Sequence, residues 1–485
     1  MKAADTSRLQ HLAGALAGAA AACALAFAPA APAEAAATIA IVNQNDPGVG
    51  FNDPTPAAPV GGNPGTTLGQ QRLYAFQRAA DIWGATLTSS VPIRIGASFV
   101  SLACTANSAV LGSAGADEIW SNFPNAPRAS TWYPSALASK LAGEDIASPG
   151  EPHIVARFNS RLGLAPDCLP GSGFYLGLDD NFGSQIDLVT VLLHEFAHGL
   201  GFQTFTDDET GAQIQGLPSV WDYYLLNNQT GKLWVDMTDA ERAASAVTWR
   251  GLSWNGPVVT AAVPQVLAPV SNLGVSGAAA GTAAGNYAVG DASFGPPLAN
   301  PPVAGTLMPV VDGANGTGLA CDPLDAANAL AVKGNVALVD RGSCDFVTKA
   351  RNVQAAGARG MVVADNQPGD VAGMSGNDPS ITIPSVRITQ ADGVKLKASL
   401  QRRSRTQSGV VASLGLDTAR LAGTDGAGRI LMYTPTIYSP GSTVSHYTTE
   451  AKPNQLMEPA INGDLGHDVT PPRDLTYPLL RDIGW

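Results

Sequence analysis

Histidine is scarce in this chain. Six occur in 485 residues, and one of them, His11, lies in the N-terminal leader. Any centre built on imidazoles must therefore draw on His153, His194, His198, His446 and His467. Charge is sparse as well, at 14% of residues, and positive charge is in deficit. Lys and Arg number 28 against 40 Asp and Glu, for a net charge of −12. That balance excludes nucleic acid and anionic membranes as expected partners. Beyond the N-terminus no run is long and apolar enough to span a bilayer, so no stable membrane anchor is expected. No C-x-x-C pair occurs, which argues against a cysteine zinc site. With 45% hydrophobic residues, 53 Gly and 35 Pro, the chain reads as globular and loop-rich rather than coiled coil or disordered. Its length predicts two domains.

The N-terminus has the pattern of an export signal. Lys2 and Arg8 precede an apolar run from Leu12 to about Ala28, and Ala33-Glu34-Ala35 fits an A-x-A cleavage site. The expected location is extracellular, with the periplasm as the other exported compartment. Past the signal four cysteines remain: Cys104, Cys168, Cys321 and Cys344. An even number in an exported chain predicts disulfides. Three pairings are open, and proximity favours Cys104–Cys168 with Cys321–Cys344. If both form, no thiol is left for a cysteine-switch zymogen.

Periodicity predicts a strand over 38–42 and a helix over 68–87, with Leu73, Phe76, Ala80 and Trp83 on its apolar face. Further strands are predicted over 91–100, 153–158 and 174–178, while 101–150 reads as irregular. A helix over 186–200 follows. From about residue 262 the composition shifts to Gly, Ala, Pro and Val. A strand over 336–340, a helix over 343–358 and a strand over 360–364 then form a βαβ-like unit. Another strand near 383–388 and a helix near 390–400 complete that pattern. The basic stretch Arg402-Arg403-Ser404-Arg405 reads as a solvated turn.

The helix over 186–200 carries His194-Glu195-Phe196-Ala197-His198-Gly199-Leu200-Gly201. Two histidines four apart share one helical face and can bind one metal ion, with Glu195 beside them to take a proton from water. Val189, Leu192, Leu193, Phe196 and Leu200 fall on the opposite stripe. Gly199 and Gly201 suit a tight helix exit. The motif supplies two ligands where a catalytic zinc needs three. In the compact extension a third histidine stands six residues after the second, but that position holds Thr204. His446 and His467 are the remaining candidates in the C-terminal part. His153 reads as a packed strand residue. Asp207, Asp208, Glu209 and Asp222 offer acidic alternatives.

His446 stands in Gly441-Ser442-Thr443-Val444-Ser445-His446-Tyr447, and Leu456-Met457-Glu458-Pro459 follows. Together with HExxHxxGF, this pairing resembles the leishmanolysin-like metzincins. The resemblance implies His446 as the third zinc ligand, displaced downstream by an insertion, and Met457 as the Met-turn residue beneath the metal. Tyr447 stands where that family usually has Trp. It is a candidate oxyanion donor by proximity, with packing the simpler role. Residues 335–346, with Arg341-Gly342-Ser343-Cys344-Asp345-Phe346, and the later Ala356-Gly357-Ala358 look like a protease-associated (PA) domain. That family often pairs this cysteine with one upstream, in agreement with Cys321–Cys344. The segment Asp474–Trp485 looks like the closing helix of bacterial secreted proteases.

The resemblances imply an α+β fold, a metzincin-like zincin catalytic domain split by an inserted α/β PA-type domain. The expected division is a signal peptide over 1–36, catalytic parts over 37–261 and 428–485, and a PA-like insertion over 262–427. The expected activity is zinc-dependent endopeptidase hydrolysis of protein or peptide substrates. One Zn²⁺ is held by His194, His198 and His446, with Glu195 as general base; no calcium site is predicted. The alternative is an inactive zincin-like binding module or adhesin that uses the PA-like domain for protein contacts. Retention of Glu195 argues against it.

Overall fold

The computed structural model describes residues 35–313, 316–369 and 371–485; residues 1–34 of the expected signal segment lie outside them. Among the described residues no helix is long and apolar enough to cross a membrane.

The first part of the chain builds a mixed sheet from β1 (Ile39–Asn43), β2 (Ile93–Val100), β3 (Gly112–Ala116) and β4 (Ile154–Asn159). Their order is β1-β2-β4-β3. The first three run parallel, and β3 is an antiparallel edge. Helix α1 (Leu68–Thr86) starts where the Thr67 side chain accepts the Gln70 amide. It packs with α2 (Leu188–Leu200) through Phe76, whose ring meets Phe158 and Phe196 at 4.9 and 5.9 Å. The buried Trp83 indole donates to the Leu193 carbonyl at 3.1 Å. Leu73 departs from the expected apolar face: it is 43% exposed, and Ala75 and Ala79 are buried instead. The region that reads as irregular contains β3, which its Gly-Ser-Ala-Gly-Ala sequence conceals because it holds no β-branched or aromatic residue.

Helix α2 is buried along all 13 residues. It lies close on the sheet because of Gly199, where a Cβ would stand 2.3 Å from Ile154 Cγ2. Gly199 therefore serves helix–sheet approach, and the helix exit belongs to Gly201, at φ +122°. Gly199→Ala should cost about 1–3 kcal/mol by overpacking. Thermal unfolding checks this, and an unchanged midpoint would contradict it.

Helix α3 (Pro257–Val266) ends the first part. The chain then enters an eight-stranded sheet: β5 (Pro269–Ser276), β6 (Gly285–Ala288), β7 (Gly290–Asp291), β8 (Val303–Pro309), β9 (Val336–Asp340), β10 (Gly360–Ala364), β11 (Ser385–Ile388) and β12 (Val411–Leu421). The order is β6-β5-β12-β8-β9-β10-β11-β7, with β8 to β11 parallel. Strands β9 and β10 are buried throughout, as continuous apolar runs in a parallel sheet require. Helices α4 (Phe346–Ala355) and α5 (Gln390–Ser399) follow β9 and β11. This sheet has its own cores, built from residues between Leu273 and Leu414.

After β12 the chain returns to the first core. Ile430, Met432, Val444, Tyr447, Leu456, Met457 and the closing helix α6 (Thr476–Ile483) pack with residues of α1 and α2. Asp482 accepts the Val258 and Val259 amides at the start of α3, at 2.8 and 3.1 Å. The Trp485 indole donates to the Leu200 carbonyl at the end of α2, at 2.7 Å. The expected boundary at 261/262 falls inside α3. Val259, Ala262, Val263, Val266 and Leu267 all belong to the first core, so the change of core comes after Leu267. The Ala- and Val-rich composition begins earlier because α3 is itself apolar. Both disulfides are present, Cys104–Cys168 in the first part and Cys321–Cys344 in the second.

Candidate metal centre

Helix α2 begins at Asp187, whose carboxylate accepts the Thr190 amide at 2.8 Å and the Thr190 hydroxyl at 2.6 Å. Two turns later the helix presents His194, Glu195 and His198 to a cleft of about 890 Å³. Edge strand β3, with Gly112, Ser113 and Ala114, lines one side of it. The returning segment lines the other with Ser442, Thr443, Ser445, His446 and Pro459 to Ile461. A Cβ at Gly112 would stand 3.2 Å from Glu195 Cγ, so this position lets β3 close over the helix.

The three histidines converge although 248 residues separate His198 from His446. Their Nε2 atoms lie 3.2 Å (His194–His198), 3.2 Å (His198–His446) and 3.3 Å (His194–His446) apart. Each ring is held from behind by a backbone carbonyl. Nδ1 of His194 lies 2.7 Å from Leu456 O, that of His198 2.8 Å from Phe202 O, and that of His446 2.9 Å from Ser442 O. A carbonyl can only accept, so each Nδ1 carries the proton and each Nε2 turns a lone pair inward. Three lone pairs facing one another cannot hydrogen-bond; a cation between them resolves the repulsion. Nitrogens held about 2.0–2.1 Å from one tetrahedral zinc stand about 3.4 Å apart, close to the spacing observed. The donor set thus fits zinc.

Burial sets the charge of this centre. It pushes His194 down to about 4 and His198 to about 3, the latter helped by neighbouring His194, and it holds His446 well below its usual value. Burial thus favours the neutral form of all three imidazoles. Burial pushes the Glu195 carboxyl up to about 8, opposed by the Ala114 backbone.

Met457 is fully buried within a tight turn, closed by the Glu458 amide on the Gln455 carbonyl at 3.2 Å. Leu456 in the same turn supplies the carbonyl behind His194, and Asp474 accepts the Leu456 amide at 2.7 Å. The sequence marks the segments of Leu456 and Asp474 but not these roles, since Leu456 acts through its backbone and Asp474 from a distant turn. Val444, two residues before His446, holds φ +66°, a region that costs a β-branched residue roughly 1–3 kcal/mol.

The remaining candidates do not join the three imidazoles, although Thr204 and Asp208 line the same cleft. Thr204 and Asp222 join a buried hydrogen-bond network with Thr206 and Ser219. Asp208 accepts the Tyr438 hydroxyl at 2.8 Å. Asp207 accepts the Glu209 and Thr210 amides of its own turn. His153 is buried, its Nδ1 accepting the Arg94 amide at 3.1 Å. Tyr447 packs edge-to-face on Phe202 and donates its hydroxyl to Leu475 O at 3.0 Å, which fixes a packing role. His467 lies with Asp180 and Asp187.

The model of the PA domain family matches residues 303–396, which lie between His198 and His446. The minor extracellular protease Vpr of Bacillus subtilis (strain 168) is 33% identical over 114 residues, 23% of this chain and 14% of Vpr. ER degradation-enhancing alpha-mannosidase-like protein 3 of Xenopus laevis is 37% identical over 78 residues, 14% of this chain and 8% of that protein. Each match thus spans a small part of the relative. An aminopeptidase from Aneurinibacillus sp. strain AM-1 aligns structurally over 32% of both chains, at 21% identity and a TM-score of 0.24, too low to carry an argument. The chain is a mixed α/β protein that contains a PA domain at residues 303–396.

Proposed function

We propose that this chain is an exported zinc-dependent endopeptidase whose catalytic unit is interrupted by its PA domain. The observation that carries the reading is the convergence of three Nε2 lone pairs from His194, His198 and His446, each imidazole fixed by a carbonyl at Nδ1. Export is supported by the leader pattern and by two disulfides. The protease name of one PA-containing relative points the same way.

The three imidazoles would hold zinc, which when bound supplies Lewis acidity toward water and toward a peptide carbonyl. Glu195 does the proton work. Its buried carboxylate binds a proton readily, because burial disfavours the charged form. It accepts a proton from the attacking water and returns it to the leaving amine nitrogen. The β3 edge has one partner, β4, and leaves its other side to the cleft. An extended peptide can pair there through its main chain and pass on in both directions, which favours internal cleavage.

A peptide blocked by N-acetyl and C-amide groups should therefore be cleaved internally. A zinc chelator should abolish cleavage, and added zinc should restore it. Cleavage only of free N-termini would refute the endopeptidase reading, and activity indifferent to chelation would refute the zinc reading.

A further inference from the structure

At the first turn of α2, away from the three converging histidines, His467 Nε2 stands 2.7 Å from Asp180 Oδ1 and 2.8 Å from Asp187 Oδ2. All three donor atoms lie within 4.8 Å of one another. The Asp187 and His467 side chains are 2% and 9% exposed, whereas Asp180 is half exposed. A simple ion pair accounts poorly for this cluster. One Nε2–H is shared between two carboxylates, and Asp187 Oδ1 is buried without any hydrogen-bond partner. An orphaned buried carboxylate oxygen costs more than the roughly 1–3 kcal/mol of a neutral group.

We propose that Asp180, Asp187 and His467 form a second, structural divalent-cation site of the zinc class. Two carboxylates balance the charge of the ion, and His467 offers it an imidazole nitrogen. An imidazole among the ligands favours zinc over calcium or magnesium, which prefer all-oxygen shells. The ligands come from three segments: the loop that holds Asp180, the N-cap of α2, and the returning chain between Met457 and α6. The ion would fasten the helix that carries His194 and Glu195 to the segment that carries the third histidine of the other centre.

The test is zinc per chain, measured by elemental mass spectrometry on the purified full chain after equilibration with zinc and removal of free metal. The wild type should hold two ions. His467→Ala and Asp180→Asn should each hold one and melt at lower temperature. His446→Ala should also hold one, and the double variant His446→Ala/His467→Ala none. Asp180 sits on an exposed loop, so its variant does not depend on a tolerant core. A wild-type content of one ion, lost in His446→Ala, would overturn the second site, leaving only direct contacts among the three side chains there. Wild-type zinc content in Asp180→Asn and His467→Ala would overturn it as well. Retention of both ions in His446→Ala would instead contradict the proposed catalytic centre, so the two failures are distinguishable.

Discussion

Glu195→Gln should lower kcat for peptide hydrolysis by about 10²–10⁴-fold, the usual contribution of a positioned acid–base group, with zinc content unchanged. Glutamine is isosteric with glutamate. Glutamine fills the same volume between α2 and β3, where Gly112 leaves just enough room for the side chain, but its amide cannot accept a proton from water. The metal ligands are untouched because each imidazole is held through Nδ1 by a carbonyl, not by Glu195. Folding should not suffer, since burial disfavours the charged carboxylate and a neutral amide removes that cost. Steady-state kinetics on a blocked peptide, with zinc analysis and a melting curve on the same sample, give the readout. Equal kcat in variant and wild type would remove Glu195 from the mechanism. A wild type that binds zinc yet cleaves nothing would favour the binding-module alternative.

His446→Ala should weaken zinc at the three-histidine centre by roughly two to three orders of magnitude. Structural zinc sites with four ligands are worth about 10–16 kcal/mol, so one ligand accounts for about 2.5–4 kcal/mol. The loss is specific because His194 and His198 keep their places on a buried helix whose cap at Asp187 and close packing at Gly199 owe nothing to residue 446. The variant also strips Ser442 O of its donor, a local cost of about 1–3 kcal/mol. Competition with a chromophoric chelator measures the affinity. Unchanged affinity would end the assignment of His446.

The parts of this molecule that follow from periodicity were legible in the sequence. Strands β9 and β10 fall at 336–340 and 360–364 as expected, because a buried parallel strand is a short unbroken apolar run between turn residues. The helix of His194 and His198 is likewise written in its apolar stripe. Strand β3 was hidden, since Gly-Ser-Ala-Gly-Ala encodes closeness to Glu195 and the cleft rather than strand preference. Leu73 was misplaced because α1 buries small alanines against α2 and leaves a large residue in solvent. The end of the first core was displaced from 261 to beyond Leu267 because composition changes before packing partners do. His446 was reachable through its neighbours, Ser445 and the Leu456-Met457 turn, and not through spacing, which a folded insertion makes uninformative. The grouping of Asp180, Asp187 and His467 had no sequence signal, for His467 lies 280 residues from Asp187.

The central claim is that one zinc ion joins ligands from both sides of the PA domain. X-ray diffraction from zinc-grown crystals, collected above and below the zinc absorption edge, tests it most directly. The account predicts an anomalous peak in contact with Nε2 of His194, His198 and His446 together. No peak at that point, or a peak ligated by His194 and His198 with His446 turned away, would contradict it.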